Sequence, residues 1–106
     1  MQAFAGLMSV TGEGDERPVR VGTSIIDKGT GLWCVIGILT MLEQRHRTGQ
    51  GGVVDTALLE TALAWMGFHV TDLQATGKIP VAQGSGVRGI APYQAYRCSD
   101  GYLMVA

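Results

Sequence analysis

The residues best suited to chemistry lie together in Gly22-Thr23-Ser24-Ile25-Ile26-Asp27-Lys28-Gly29-Thr30-Gly31. One carboxylate, Asp27, follows a short apolar approach and precedes small residues and a strongly apolar stretch expected to be helical from Leu32. A carboxylate at a helix N-terminus is kept ionised by unpaired backbone N–H groups and by the positive end of the dipole. Asp is also a preferred N-cap, worth roughly 1 kcal/mol to a helix. Asp27 is therefore placed to be a cap, a nucleophile, or both. Gly22, Gly29 and Gly31 would let a ligand approach the backbone closely.

The other candidates carry less. Glu13, Asp15 and Glu16 cluster in Thr11 to Pro18 (TGEGDERP), but no His or further carboxylate follows at ligand spacing, so a solvated loop is expected rather than a metal site. His46 lies 19 residues beyond Asp27, nearly 30 Å along a helix at about 1.5 Å per residue. It is expected at a helix C-terminus, where a cation meets the dipole. Trp65, Phe68 and His69 are assigned to packing, and Asp55 to pinning a turn. Gly84-Ser85-Gly86 is too short to define a phosphate cradle. Cys34 and Cys98 have no metal-ligand spacing and fit a reducing cytosol.

Composition bounds what surrounds these residues. Of 106 residues 46% are hydrophobic and only 16% charged, against a usual share of about 25% charged. So apolar a chain is expected to bury surface against something else, either the remainder of a longer polypeptide or a second subunit. The net charge of −1 supplies no basic field for nucleic acid or an anionic membrane. Met1-Gln2-Ala3-Phe4 lacks the pattern of a secretion signal. The apolar run from Leu32 to Leu42 falls short of the ~20 residues that span a bilayer. A soluble, cytoplasmic protein is expected.

The elements that must position Asp27 follow in order. Met1 to Val10 reads as a short helix with Phe4, Leu7 and Met8 on one side. Leu32 to about Arg47 reads as a long helix whose first three turns should be buried all round, closed at Gly49 behind Arg45, His46 and Arg47. Gln50-Gly51-Gly52 is a turn, and Val53 to Ala57 a short strand. Leu58 to about Gln74 carries Leu59, Ala62, Leu63, Met66, Val70 and Leu73 at helical spacing. Thr76 to Ala91 is loop or linker. Pro92 to Cys98 and Gly101 to Val105 read as a hairpin around Ser99-Asp100-Gly101. The fold class expected is α/β: mainly helical, with a short strand and a C-terminal β-hairpin.

Several motifs in series carry a resemblance. Gln2-Ala3-Phe4-Ala5-Gly6-Leu7-Met8, Thr11-Gly12, the Asp27 stretch and Arg45-His46-Arg47-Thr48-Gly49-Gln50-Gly51 come first. Val54-Asp55, Leu58-Leu59-Glu60, Ala91-Pro92-Tyr93 and Asp100-Gly101-Tyr102 follow. Together, in order and nearly end to end, they resemble the class III CoA-transferase family (CaiB/BaiF type), which includes formyl-CoA and carnitine CoA-transferases and α-methylacyl-CoA racemases. Gly52 stands where a second glutamine is usual in that family.

The resemblance implies that Asp27 attacks the thioester carbonyl of an acyl-CoA, passing through an acyl-aspartyl anhydride and an aspartyl-CoA thioester before an incoming carboxylic acid collects the CoA. N–H groups around Gly29 and Gly31 would then steady developing negative charge. In the racemase branch the equivalent aspartate is an acid/base group paired with a histidine from upstream. The resemblance further implies an acyl-CoA and a carboxylic acid as substrates, no permanently bound cofactor and an interlocked homodimer. It places residues 1–75 in a Rossmann-like large domain, and 76–106 in a linker and the first hairpin of a small domain. Family members are three or four times longer, so the chain resembles a central piece. A non-catalytic remnant that self-associates through Leu32 to Leu42 is the third reading.

Overall fold

The long helix begins within the small-residue stretch, ahead of Leu32 where the sequence suggested its start. In the computed structural model, which describes residues 1–14 and 17–106, α1 spans Leu7–Val10 and α2 spans Ile25–Thr48. The remaining elements are α3 (Leu58–Trp65), α4 (Gly67–Thr76), β1 (Gln94–Arg97) and β2 (Tyr102–Val105). Asp15 and Glu16 of the acidic cluster lie outside the described residues. The chain is mainly helical with a two-stranded antiparallel sheet.

Helix α2 starts seven residues before the expected Leu32, with Ser24 at the N-cap position. Gly29, Thr30 and Gly31 are thus helical. Each helical glycine costs roughly 1 kcal/mol relative to alanine, which is why the sequence read as a break. Packing offsets the cost at Gly29, which is buried with Thr61 and Trp65 of α3 beside it. The far end forms as expected: Arg45, His46 and Arg47 fill the last turn. Gly49 adopts φ 77° and donates its N–H to the Arg45 carbonyl at 2.8 Å.

Three other expectations are corrected. The N-terminal segment is a series of turns before the single helical turn α1. Gly6 at φ 85° separates Phe4, 77% exposed, from buried Leu7. Residues 53–57 form no strand among the described residues, since β-branched residues supply propensity and not a partner edge. The helix expected over 58–74 is two helices, broken at Met66 (φ −84°, ψ 1°), whose N–H bonds the Leu63 carbonyl in a tightened last turn. The hairpin forms in the register Gln94↔Val105 to Arg97↔Tyr102, closed by Cys98 N–H to the Gly101 carbonyl.

The core is small. Ala5, Leu7, Ile26, Ala62 and Met66 are buried together, with Val10, Ile25 and Leu59 against them. The long apolar face of α2 is uncovered: Leu32, Val35, Ile36, Ile38, Leu39 and Leu42 are each at least half exposed, contrary to the expected burial all round. At 24 residues α2 is also long and apolar enough to cross a bilayer, so length does not exclude a span; core helices of soluble proteins meet the same criterion. The radius of gyration is 18.4 Å, where a compact domain of this length has about 13 Å. The accessible surface is 8099 Å², roughly 2,400 Å² more than a folded monomer of this mass exposes.

Candidate active site

Asp27 is the third residue of α2, in the first helical turn rather than at the cap. In an α-helix the first backbone N–H groups have no partner four residues back. Here Ile25 N–H bonds the Thr23 carbonyl at 2.9 Å and Lys28 N–H bonds the Ser24 carbonyl at 3.1 Å. The N–H groups of Ile26 and Asp27 are the ones left by the helical pattern. The positive end of the helix therefore sits at the Asp27 carboxylate. Among the described residues the one ion pair is Arg88 with Asp72, so neither Lys28 nor Arg20 neutralises Asp27.

Three contacts fix this turn. Ile26, 3% exposed, plugs the core cluster. Thr30 Oγ1 is bonded to the Ile26 carbonyl and to Thr61 Oγ1, both at 2.9 Å, tying α2 to buried Thr61 of α3. A side chain at Gly29 would meet Thr61 Cγ2 at 3.0 Å and the Trp65 indole at 3.2 Å. The approach to the helix is also held. Val21 N–H donates to Gln2 Oε1 at 2.7 Å, and Gln2 Nε2 donates to the Val21 carbonyl at 3.3 Å. One primary amide thus satisfies both backbone groups of a residue 19 positions away.

Asp27 itself is exposed and opens on a cavity of about 490 Å³. Its lining has apolar side chains at Met1, Ala3, Met8, Ile26 and Leu58, and polar ones at Gln2, Arg20 and Asp27. This volume is in the ~300–1,000 Å³ range of small-molecule sites. A carboxylate beside N–H groups left by the helical pattern, on a cavity with apolar lining, is equipped to attack an electrophilic carbon.

The expected site residues fare differently. Asp27 lies on the cavity. Gly29 and Gly31 are in the second turn of α2, where the regular ladder takes up their N–H groups, so the donors beside Asp27 are those of Ile26 and of Asp27 itself. The space beside Gly29 is filled by α3, while nothing lies within 4 Å of a side chain added at Gly31. Gly31→Ala is accordingly expected to stabilise the intact protein by about 0.5–1 kcal/mol, through helix propensity alone. A lower thermal midpoint would contradict it.

His46 is at the opposite end of α2. Phe68 and His69 stack edge to face at 5.6 Å beside a separate cavity with Arg88, away from Asp27. Asp55 lines a third cavity, with Glu60 and Trp33. Cys34 Sγ lies 2.9 Å from Thr56 Oγ1, and both cysteines are free thiols. Sequence reasoning missed the roles of Arg20, Thr61 and Leu58. Only Arg20 left a trace, as the one cation in the approach to α2 from Val19 to Ser24.

A family model described as CoA-transferase family III matches residues 1–106. The chain is similar to a succinyl-CoA:mesaconate CoA-transferase of Haloarcula hispanica, 32% identical over 105 residues, 99% of this chain and 26% of that protein. It is 37% identical over 104 residues to a succinyl-CoA–D-citramalate CoA-transferase of Chloroflexus aurantiacus, covering 98% of this chain and 26% of that protein. It is also 37% identical over 103 residues to a succinyl-CoA:glutarate CoA-transferase of Mus musculus, covering 97% of this chain and 24% of that protein. A crystal structure of a CAIB/BAIF family protein from Brucella suis superposes with a TM-score of 0.84 at 38% identity, over 99% of this chain and 28% of that one. The chain thus spans about a quarter of the length of these curated relatives.

Proposed function

This chain belongs to CoA-transferase family III, and on that premise we propose that it carries the nucleophile of a CoA transfer between an acyl-CoA and a carboxylic acid, with Asp27 forming the covalent intermediates. The observation that carries the reading is the exposed Asp27 carboxylate in the first turn of α2, opening on a 490 Å³ cavity.

A carboxylate oxygen of Asp27 attacks the thioester carbonyl, the C–S bond breaks, and CoA leaves as thiolate from an acyl-aspartyl anhydride. The thiolate attacks the aspartyl carbonyl, releasing the donor acid and leaving an aspartyl-CoA thioester. The acceptor carboxylate attacks that thioester, a second anhydride forms, and the thiolate takes the acceptor acyl group. Asp27 is regenerated. The N–H groups of Ile26 and Asp27 stand beside the charge that develops at each step. Open space over Gly31 admits the thioester arm, whereas Gly29 serves through its packing against α3.

The three relatives above are named for mesaconate, citramalate and glutarate, all dicarboxylic acids. By that similarity the acceptor here is a dicarboxylate. The reading further takes CoA thioester as substrate, with no resident cofactor, and a cytoplasmic homodimer. The uncovered face of α2 and the excess surface of roughly 2,400 Å², the size of an obligate interface, support a covering partner. Residues 1–75 fall in the large domain, and 76–106 lead into the small one.

Isotope transfer tests the chemistry. With an acceptor acid labelled by ¹⁸O in both carboxylate oxygens, the second anhydride delivers one ¹⁸O to Asp27. The intact protein after turnover is expected to show a peptide containing Asp27 heavier by the ¹⁸O–¹⁶O difference. Turnover without label in that peptide would contradict the mechanism. Exchange of an α-proton in its place would favour the racemase chemistry.

A further inference from the structure

We propose that Arg20 reads the second carboxylate of a dicarboxylic substrate held at Asp27, an inference that rests on the CoA-transfer reading of that site. While one carboxyl group of such a substrate reacts, the other stays ionised at neutral pH. It enters a cavity whose walls are apolar at Ala3, Met8, Ile26 and Leu58 and which already holds the Asp27 carboxylate. Like charge and desolvation both oppose it unless a cation answers. Among the described residues lining this cavity, Arg20 is the one cationic side chain.

The guanidinium is held ready for this. Its Nη1 lies 3.3 Å from the carbonyl oxygens of both Val21 and Gly22, to which it donates. That tether leaves the Nε and Nη2 edge with no protein partner among the described residues, and this planar edge matches a carboxylate with two parallel N–H bonds. The backbone under the tether is itself fixed, because Gln2 bonds both the N–H and the carbonyl of Val21. A cation tethered to a backbone that the Gln2 amide holds in place loses less freedom on binding than an untethered one. Lysine would supply the charge without the fork.

The test compares acceptors of equal length in the intact protein: glutarate, with two carboxylates, and valerate, with one. Arg20→Gln is expected to lower kcat/KM for glutarate roughly 10- to 100-fold, the value of a charge-assisted pair at an accessible site. The rate with valerate is expected to change less than about threefold on the same grounds. Arg20→Lys should recover part of the glutarate rate. Equal losses with both acceptors would overturn the proposal and assign Arg20 to a CoA phosphate or to the loop itself, and no loss with either would overturn it too. Calorimetric titration with glutarate separates this from the transfer reading. Weaker glutarate binding by Arg20→Gln than by the unsubstituted protein supports Arg20 even where no CoA moves, and equal binding rejects Arg20 even where CoA transfer is intact.

Discussion

Asp27→Asn is expected to lower kcat for CoA transfer by the intact protein by on the order of 10⁴-fold or more, because the covalent route is lost and not merely slowed. Asn matches Asp in shape, and among the described residues the exposed side chain at this position has no ion pair whose loss would unfold the helix. The unfolding free energy should therefore change by no more than the loss of a first-turn carboxylate at the helix dipole, about 0.3–1 kcal/mol. A large rate effect with a small stability effect is the signature of a nucleophile. A plain structural role would give the reverse, with stability falling and the surviving fraction turning over normally.

Gly29→Val carries the second largest expected effect, and it acts through packing. The first added carbon lies 3.0 Å from Thr61 Cγ2 and 3.2 Å from the Trp65 ring. Two further methyl groups must enter the same seam, where Thr61 is 3% exposed and Ala62 fully buried. Helix propensity favours the change by less than 1 kcal/mol, whereas overpacking costs typically 1–3 kcal/mol. Packing wins, so denaturant unfolding should show a net loss of about 1–3 kcal/mol. Because Asp27 is two residues away on the same rigid turn, a shift of order 1 Å between α2 and α3 is expected to cost roughly 100-fold in kcat as well. An unchanged unfolding midpoint would contradict the assignment of Gly29 to the α2–α3 contact.

The contrast between Gly29 and Gly31 shows how far local reasoning reaches. Both lie before the expected helix start at Leu32, as glycines that would admit a ligand to the backbone, and both are helical. Propensity correctly prices each against the helix, but whether the price is met depends on what lies across the seam. At Gly29 that is α3, more than thirty residues later in the chain. The same limit explains residues 53–57, whose composition is that of a strand yet which find no edge to pair with among the described residues. It explains α2 as well, whose apolar pattern foretold burial that this chain does not itself provide.

Features set by neighbours in sequence were legible. The Gly49 closure of α2 and the hairpin around Asp100-Gly101 form where cap and turn chemistry places them, and α3 starts at Leu58, where the apolar helical spacing begins, with Ala57 at its N-cap making no side-chain cap bond. The break at Met66 was not legible, since the apolar pattern runs on through it and only Gly67 marks the change. Of the site, Asp27 could be singled out by its helix terminus and its small neighbours. Gln2 could not, and Arg20 showed only as a cation, because the groups they bond are the backbone of Val21 and Gly22, and backbone partners leave no pattern of residue types.

The most direct test of covalent catalysis is mass spectrometry of the protein after incubation with a panel of acyl-CoA thioesters, comparing the unsubstituted chain with Asp27→Asn. Covalent catalysis by Asp27 predicts an acyl or CoA adduct on the peptide that contains Asp27, released by hydroxylamine and absent in the variant. An intact protein that transfers CoA at full rate while that peptide stays unmodified, or in which the Asn variant carries the same adduct, would contradict it.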